Sequence, residues 1–375
     1  MSPVKYDLIV VGSGLYGAVV AQQAKEHYLR CLVLERRQHI GGNIRDEWID
    51  GICVHQYGAH IFHTDDERVW AYVNRFSRFA PYIHTVLAHS GKRMFHLPFS
   101  LQTFYDVYGI CRPDEISEIL RREHKRESYQ HPTNLEEQAI NLVGRTLYEL
   151  LIKGYTEKQW GRKASELPSN LITRLPVRET FDNRYFNDRY QGIPEEGYSK
   201  MIERMLEGIE VRTGVDFLEN RDYWIARAKE VVYTGTVDEL MDYRLGELGY
   251  RSLRFETERL QMSNYQGMAV INETGVKVPY TRTIEHKHFY YKSQTPQTII
   301  TREYPLTWER GREPYYAMNS EQNNRLYDEY CRLTKTVYPT IRLGGRLGWY
   351  QYFDMDDVVA MALLAEYNFT SRQTI

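Results

Sequence analysis

Cysteine is scarce in this chain of 375 residues, and its four copies, Cys31, Cys53, Cys111 and Cys331, lie far apart with no CxxC pair. That spacing excludes a disulfide framework or a zinc ribbon and fits reduced structural thiols. An excess of either charge is also lacking: 48 Lys and Arg stand against 50 Asp and Glu, a net of −2. The chain as a whole is therefore not built to seek nucleic acid or an anionic membrane, and an anionic ligand has to be met by local arginines. No stretch approaches the roughly eighteen apolar residues of a membrane span, and the start Met1-Ser2-Pro3-Val4-Lys5-Tyr6 has no apolar signal segment. Both absences predict a cytoplasmic protein. Internal repeats and low-complexity linkers are missing too. What remains is ordinary globular composition, 42% hydrophobic and 26% charged, long enough for two or three domains. Tyrosine is the excess, with 31 copies that bring flat rings and hydroxyl donors together.

The first forty-odd residues carry the strongest pattern. An apolar run, Tyr6 to Val11, meets Gly12-Ser13-Gly14-Leu15-Tyr16-Gly17, and a second run, Leu32-Val33-Leu34, ends in Glu35 ahead of Gly41-Gly42. Gly12 suits a tight turn out of a strand, Gly14 lets backbone approach a pyrophosphate, and Gly17 allows close helix packing on the sheet. The helix N-terminus favours phosphate charge, and Glu35, eighteen residues after Gly17, is placed to accept hydrogen bonds from ribose hydroxyls. Strand, helix and strand-end acid in this order predict a dinucleotide cradle. The glycine pair favours FAD over NAD, because it lets the chain run close beside a large flat cofactor. Glutathione-reductase-like and amine-oxidase-like flavoproteins carry the same pair, and so do the dissociation inhibitors of small GTPases, so the cradle leaves function open.

The pattern predicts an α/β fold: a Rossmann-like FAD-binding domain with a helical insertion domain and an antiparallel β-sheet domain. The FAD-binding domain is expected to be discontinuous, over 1–78, 190–243 and 318–375. Helices are expected over 100–165, and a sheet over 79–99, 166–189 and 244–317 with a mobile lid near 162–178. Asp66 and its acidic neighbours start one helix, and Thr133 with Glu136 three residues on is expected to cap another. Residues 85–97 read as a hairpin turning at Ser90-Gly91, and Val231 to Gly235 reads as a strand returning beneath the dinucleotide. Ala269 to Ile271, Thr281 to Tyr291 and Thr298 to Thr301 read as strands, and Asp354 caps a last helix over 356–367.

Two segments suggest a clamp for a base and an anion. Tyr155 and Trp160, in Gly154-Tyr155-Thr156-Glu157-Lys158-Gln159-Trp160-Gly161, offer rings for a nucleobase, although an aromatic helix end buried in the core is an equal reading of that segment. Arg174, in a proline-flanked loop, and Arg282, on an expected strand, offer planar forks for a diphosphate; either alone reads as a surface ion pair. His60 and His63 have the wrong spacing for a helical metal pair, and no metal site is expected.

Taken together, GSGLYGA, the glycine pair, YGAHIFHT, KGYTEKQWG, ITRLPVR, DRYQGIP, VVYTG, YRSLRFE, VPYTRTIEHKHF, REPYY and GGRLGWYQYFDMD resemble the bacterial UDP-galactopyranose mutase family along nearly the whole chain. The resemblance implies a flavin-dependent isomerase that interconverts UDP-galactopyranose and UDP-galactofuranose through a reduced-flavin N5–sugar adduct, with FAD active in the reduced form. It further implies a homodimer with a nucleotide-sugar substrate, supplying furanose for cell-surface polysaccharide. By resemblance Tyr155 and Trp160 hold the uracil, Arg174 and Arg282 grip the diphosphate, and Tyr185, Tyr316 and Tyr352 donate to phosphate oxygens. His60 borders the flavin N5 with His63 behind it, and Asp354 lies on the sugar side. The FAD set is Gly12, Gly14, Gly17, Glu35, Arg36, Gly42, Asn43, His60, Gly235, Arg346, Asp354 and Met355. Leu151 and Ile152 stand where the family commonly has two phenylalanines, and His84 where it has a substrate-side asparagine. These departures leave a dTDP-fucopyranose or UDP-N-acetylgalactosamine mutase as the alternative, ahead of an FAD oxidoreductase on an apolar substrate.

Overall fold

In the computed structural model, residues 4–172, 176–290 and 295–365 are described. The first apolar run forms the strand Tyr6–Val11, central in a five-stranded parallel sheet. Its order is Glu210–Thr213, Cys31–Glu35, Tyr6–Val11, Ala228–Tyr233, Ile341–Leu343. Alternate side chains of a strand point to opposite faces, so the sheet divides two cores: Leu8, Val10, Val33 and Val232 pack on one side, Ile9, Leu32, Val231 and Tyr233 on the other. Burial on both faces is why these runs are apolar throughout instead of alternating. The helix Leu15–Glu26 follows the glycine turn and is buried along most of its length.

A seven-stranded sheet forms the second layer, in the order Tyr316–Ala317, Tyr250–Leu260, Thr298–Thr307, Arg282–Glu285, Val270–Glu273, Val86–Ser90, Arg93–Leu97. Its neighbours pair antiparallel except Val270–Glu273 with Val86–Ser90, which run parallel. A three-stranded antiparallel sheet is made of Phe62–Thr64, Tyr190–Pro194 and Phe79–Pro81. Between the sheet strands the chain forms the helices Leu101–Tyr108, Pro113–Arg126, Leu135–Leu147 and Lys153–Trp160, the last two joined by a π-helical turn, Tyr148–Ile152. Among the described residues no helix is long and apolar enough to cross a membrane.

Several local expectations shift. Asn134, not Thr133, caps the helix at Leu135: its side chain accepts from Glu137 N at 3.0 Å, while Thr133 donates its own N–H and hydroxyl to the Glu137 carboxylate. The strand expected over 281–291 covers only Arg282–Glu285, since His286–Phe289 tightens into a 3-10 turn that buries His286 and Phe289; Tyr291 lies outside the described residues. The last helix is Met355–Leu364, one residue earlier at its start than expected, because Asp354 and Asp357 form a capping box.

Candidate active site

Two cavities hold most of the residues singled out from the sequence. The first is a cleft of about 1190 Å³ along the C-terminal edge of the parallel sheet, where ligands of open α/β sheets bind. It is lined by Gly12, Gly14, Gly17, Glu35, Arg36, Gly42, Asn43, His60, Gly235, Arg346 and Met355, each singled out from the sequence. Asp354 is not in this lining, nor in that of the second cavity described below, since its backbone and carboxylate are committed to the helix cap.

The three glycines of the turn do different work. A Cβ on Gly17 would lie 2.0 Å from Gly12 O, and one on Gly12, at φ +102°, would lie 2.1 Å from Thr234 Oγ1. These two are required by the fold itself. A Cβ on Gly14 would meet nothing closer than Gly42 Cα at 3.9 Å, so Gly14 faces the open cleft. Gly42, at φ +54°, has the opposite constraint, its Cβ landing 2.8 Å from Gly14 Cα. Bare backbone thus approaches the cleft from both sides, which suits a phosphate lying on the helix N-terminus. Polar atoms also await a partner. Among the described residues, Arg37 Nη1, His60 Nδ1 and Arg346 Nε are buried, without a hydrogen bond, and belong to side chains of the lining. On this test the cleft fits a dinucleotide.

Glu35 is oriented by Ser13, whose N–H and hydroxyl both donate to Oε2 at 2.9 and 2.6 Å, and by Arg37 N at 2.9 Å on Oε1. The sequence reading missed Ser13, although a hydroxyl between two glycines of the turn was visible. Glu313 was missed as well: from the loop between the strands Thr298–Thr307 and Tyr316–Ala317 it reaches Arg36 at 2.8 Å and Arg37 at 2.9 Å, and lines the cleft.

The second cavity, about 980 Å³, lies between the helices and the seven-stranded sheet. It gathers Tyr155, Trp160, Tyr185, Arg282, Tyr316 and Tyr352 from five separated segments. Leu151 and Ile152 line its apolar end with Phe99 and Leu135, while Thr156, Gln159 and Asn272 add polar groups that sequence spacing did not single out. Gln159 Oε1 is buried there without a partner. Trp160 and Tyr352 also border a further solvent-open hollow beside the Glu321–Val337 helix start. Arg174 lies outside the described residues, as do 173 and 175; the preceding part of the expected lid folds into two short 3-10 turns that bury Ala164 and Leu167.

Charge in this cavity is concentrated on one strand pair. Arg282 and Glu303 are direct cross-strand partners, with Arg282 Nε 3.4 Å from Glu303 Oε1 and Arg282 Nη2 donating to Tyr155 Oη at 2.9 Å. Burial pushes the Glu303 carboxyl up and the arginine pulls it back, whereas for Arg282 burial acts downward and is outweighed by the combined attraction of Glu303, Tyr155, Tyr316 and Tyr185, which holds the guanidinium charged. Burial raises Tyr155 to about 12 and raises Tyr316 further, so both keep their hydroxyl protons at neutral pH. His84 is buried against Tyr185 and Phe186, and burial, then the nearby Arg282 charge, lowers it to about 3.

Arg346 joins the two cavities. It lines the dinucleotide cleft and stacks over Tyr352 at 4.8 Å and Tyr316 at 5.8 Å, while Tyr316 and Tyr352 stack on each other at 5.9 Å. His60 stands on the cleft side, lowered to about 3 by burial, the His55 ring and Arg346. His63 turns away from that cleft, stacking on Phe186 at 3.6 Å and bonding Asp188 at 2.9 Å, a carboxylate that sequence offset did not reveal. The one group of metal-type donors among the described residues, Asp46, Cys53 and His55, is already engaged. Asp46 caps Tyr198 and Ser199 N–H, and burial keeps the Cys53 thiol protonated.

Residues 150–352 match the family model for UDP-galactopyranose mutase, and residues 10–76 match one for an NAD(P)-binding Rossmann-like domain. The chain is 39% identical over 373 residues to a probable UDP-galactopyranose mutase of Klebsiella pneumoniae, covering 97% of this chain and 95% of that protein. It is 33% identical over 368 residues to the dTDP-fucopyranose mutase of Escherichia coli, covering 95% and 96%. A solved structure of reduced UDP-galactopyranose mutase aligns with a TM-score of 0.73 at 12% identity, over 96% of this chain and 93% of that one. A putative protoporphyrinogen oxidase from Exiguobacterium aligns at 0.61 with 15% identity, over 95% and 96%. These two structural likenesses speak for the fold.

Proposed function

Because this chain belongs to the UDP-galactopyranose mutase family, we propose that it is an isomerase interconverting UDP-galactopyranose and UDP-galactofuranose, with reduced FAD in the glycine cleft. The observation that carries this reading is the junction at Arg346, Tyr316 and Tyr352, where an arginine of the dinucleotide cleft stacks on two tyrosines of an aromatic cavity that also holds the half-buried Arg282. A bound reduced flavin supplies a nucleophilic nitrogen toward the anomeric carbon of the sugar.

The protein's part is binding and charge. Arg282 presents its fork to the diphosphate, whose negative charge grows as the bond to the sugar breaks, and such stabilisation acts most strongly in a water-poor site. Glu303 holds the fork in place, and Tyr185, Tyr316 and Tyr352 donate to phosphate oxygens. Arg174 is proposed as the second cation. Tyr155 and Trp160 hold the base. Neutral His60 borders the flavin without adding a positive charge beside Arg346, and His63, held by Asp188, backs the site through Phe186.

Dithionite-reduced protein incubated with UDP-galactopyranose should yield UDP-galactofuranose on chromatography. Absence of interconversion in either direction, with flavin bound, overturns the assignment. A second reading, a mutase for a dTDP-sugar, is favoured by one observation: Leu151 and Ile152 give the base end an aliphatic lining that accommodates the thymine methyl group. A parallel dTDP-fucopyranose incubation separates the two. The same proposal includes a cytoplasmic homodimer that feeds furanose to cell-surface polysaccharide, and the three-part domain division described from the sequence.

A further inference from the structure

Lys158 is not in either cavity lining, yet it makes an unusual contact set. Its Nζ donates to four backbone carbonyls of one loop: Glu273 at 2.7 Å, Tyr280 at 2.9 Å, Gly275 at 3.0 Å and Val278 at 3.1 Å. An ammonium has three N–H groups, so the loop offers more acceptors than the side chain has protons. Rings of carbonyls of this sort are how proteins replace the hydration shell of potassium.

That loop and the helix carrying Lys158 hold the two halves of the aromatic cavity. Residues four apart share a helix face, which puts Gly154 and Lys158 on one stripe of Lys153–Trp160 and Tyr155 and Gln159 on the next. Gly154 brings the helix backbone against the loop, since a Cβ there would lie 2.1 Å from Thr274 O. The loop connects the strand bearing Asn272 to the strand bearing Arg282. On the neighbouring stripe, Tyr155 receives the Arg282 hydrogen bond, and Arg251 pins the helix end by donating to Gln159 O at 3.0 Å and Lys158 O at 3.4 Å. A lysine near a helix C-terminus ordinarily serves its own last carbonyls; this one serves a different segment.

We propose that Lys158 is a positioning residue whose ammonium fills a carbonyl cage, fixing the base-holding helix against the Arg282 strand, and that a monovalent cation of similar size can take its place. The positioning role rests on the substrate reading above; the cage does not.

The test uses Lys158→Ala and Lys158→Met in full-length protein, with potassium, ammonium, lithium or choline chloride at one ionic strength of about 0.1 M. Thermal unfolding of Lys158→Ala should rise with potassium and ammonium but not with lithium or choline, while wild type does not distinguish them. UDP affinity, read by tryptophan fluorescence, should fall about tenfold in Lys158→Ala and return to within about threefold with potassium. Lys158→Met keeps the stem, leaves no room for an ion, and should stay weak in every salt. Should Lys158→Ala fail to fold in lithium, soluble yield in potassium against lithium is the same measurement. Equal behaviour in lithium and potassium overturns the cage, and wild-type UDP affinity in both variants overturns the positioning role. Wild-type protein that binds no UDP sinks the substrate reading, and cation-dependent unfolding still decides the cage.

Discussion

The dinucleotide cleft and the aromatic cavity are built by opposite means. The part of the cleft read from the sequence is mainly backbone: bare glycines and strand ends with Glu35, most of them within a single forty-residue stretch. The cavity is mainly side chains, delivered by the π-helical turn, a helix, a loop tyrosine, a cross-strand pair and the segment before the last helix. Backbone sites tolerate few substitutions but are encoded locally. Side-chain sites are assembled by packing, so each member is replaceable at the level of the fold and decisive at the level of the ligand.

Four measurements break or sharpen that contrast, the strongest first. Gly17→Val should abolish soluble protein, because its side chain collides with Gly12 O, whereas Gly14→Val should fold, by circular dichroism, and purify without flavin absorbance. A folded Gly17→Val would show that the cleft is less rigid than its glycine contacts demand. Next, Arg282→Met should lower turnover about 10³-fold with flavin retained. Since it also leaves Glu303 buried without its counter-charge, Arg282→Met with Glu303→Gln is the folding control. Trp160→Ala should weaken UDP binding roughly 5- to 100-fold, the range of one lost base stack, and leave the flavin-to-protein ratio unchanged. Flavin loss in that variant would mean that the two regions are not separable.

The mildest effect concerns protons. His55, His60 and His84 are each lowered to about 3 by burial, against about 6.5 in an unfolded chain. Between those values the unfolded chain binds protons that the native one refuses, so stability falls as pH drops below about 6.5. Each histidine contributes up to about 1.4 kcal/mol per pH unit in that window. Urea midpoints at neutral pH and near pH 5 measure the slope; since burial lowers His286 in the same sense, His84→Gln should flatten it by about a quarter at most. An unchanged slope would place His84 in contact with water, against its burial beside Tyr185 and Phe186.

How much of this was legible follows from the range of each interaction. Gly12, Gly14, Gly17, Glu35 and Gly42 were read in register because a turn, a helix start and a strand-end acid repeat at short, fixed spacing. The aromatic pair Tyr155 and Trp160 was visible, but core burial was an equal reading until Arg282 arrived from residue 282 to bond Tyr155. Glu303 and Asp188 carried no sequence signal, since each meets its partner through strand pairing or a loop contact. Thr133 drew the cap assignment that Asn134 holds, since adjacent capping residues compete and only the donated N–H decides.

By itself the sequence determined the cradle, the order of its parts and the presence of arginines and aromatics suited to an anionic nucleotide, because hydrophobic period and glycine spacing act within a few residues. Only the tertiary structure decided that Arg282 lies opposite Glu303, that Arg346 bridges the two cavities, and that Lys158 enters a cage made by another segment. Those contacts depend on strand register and helix docking, which are settled by the packing of the whole core and leave no mark at any single position.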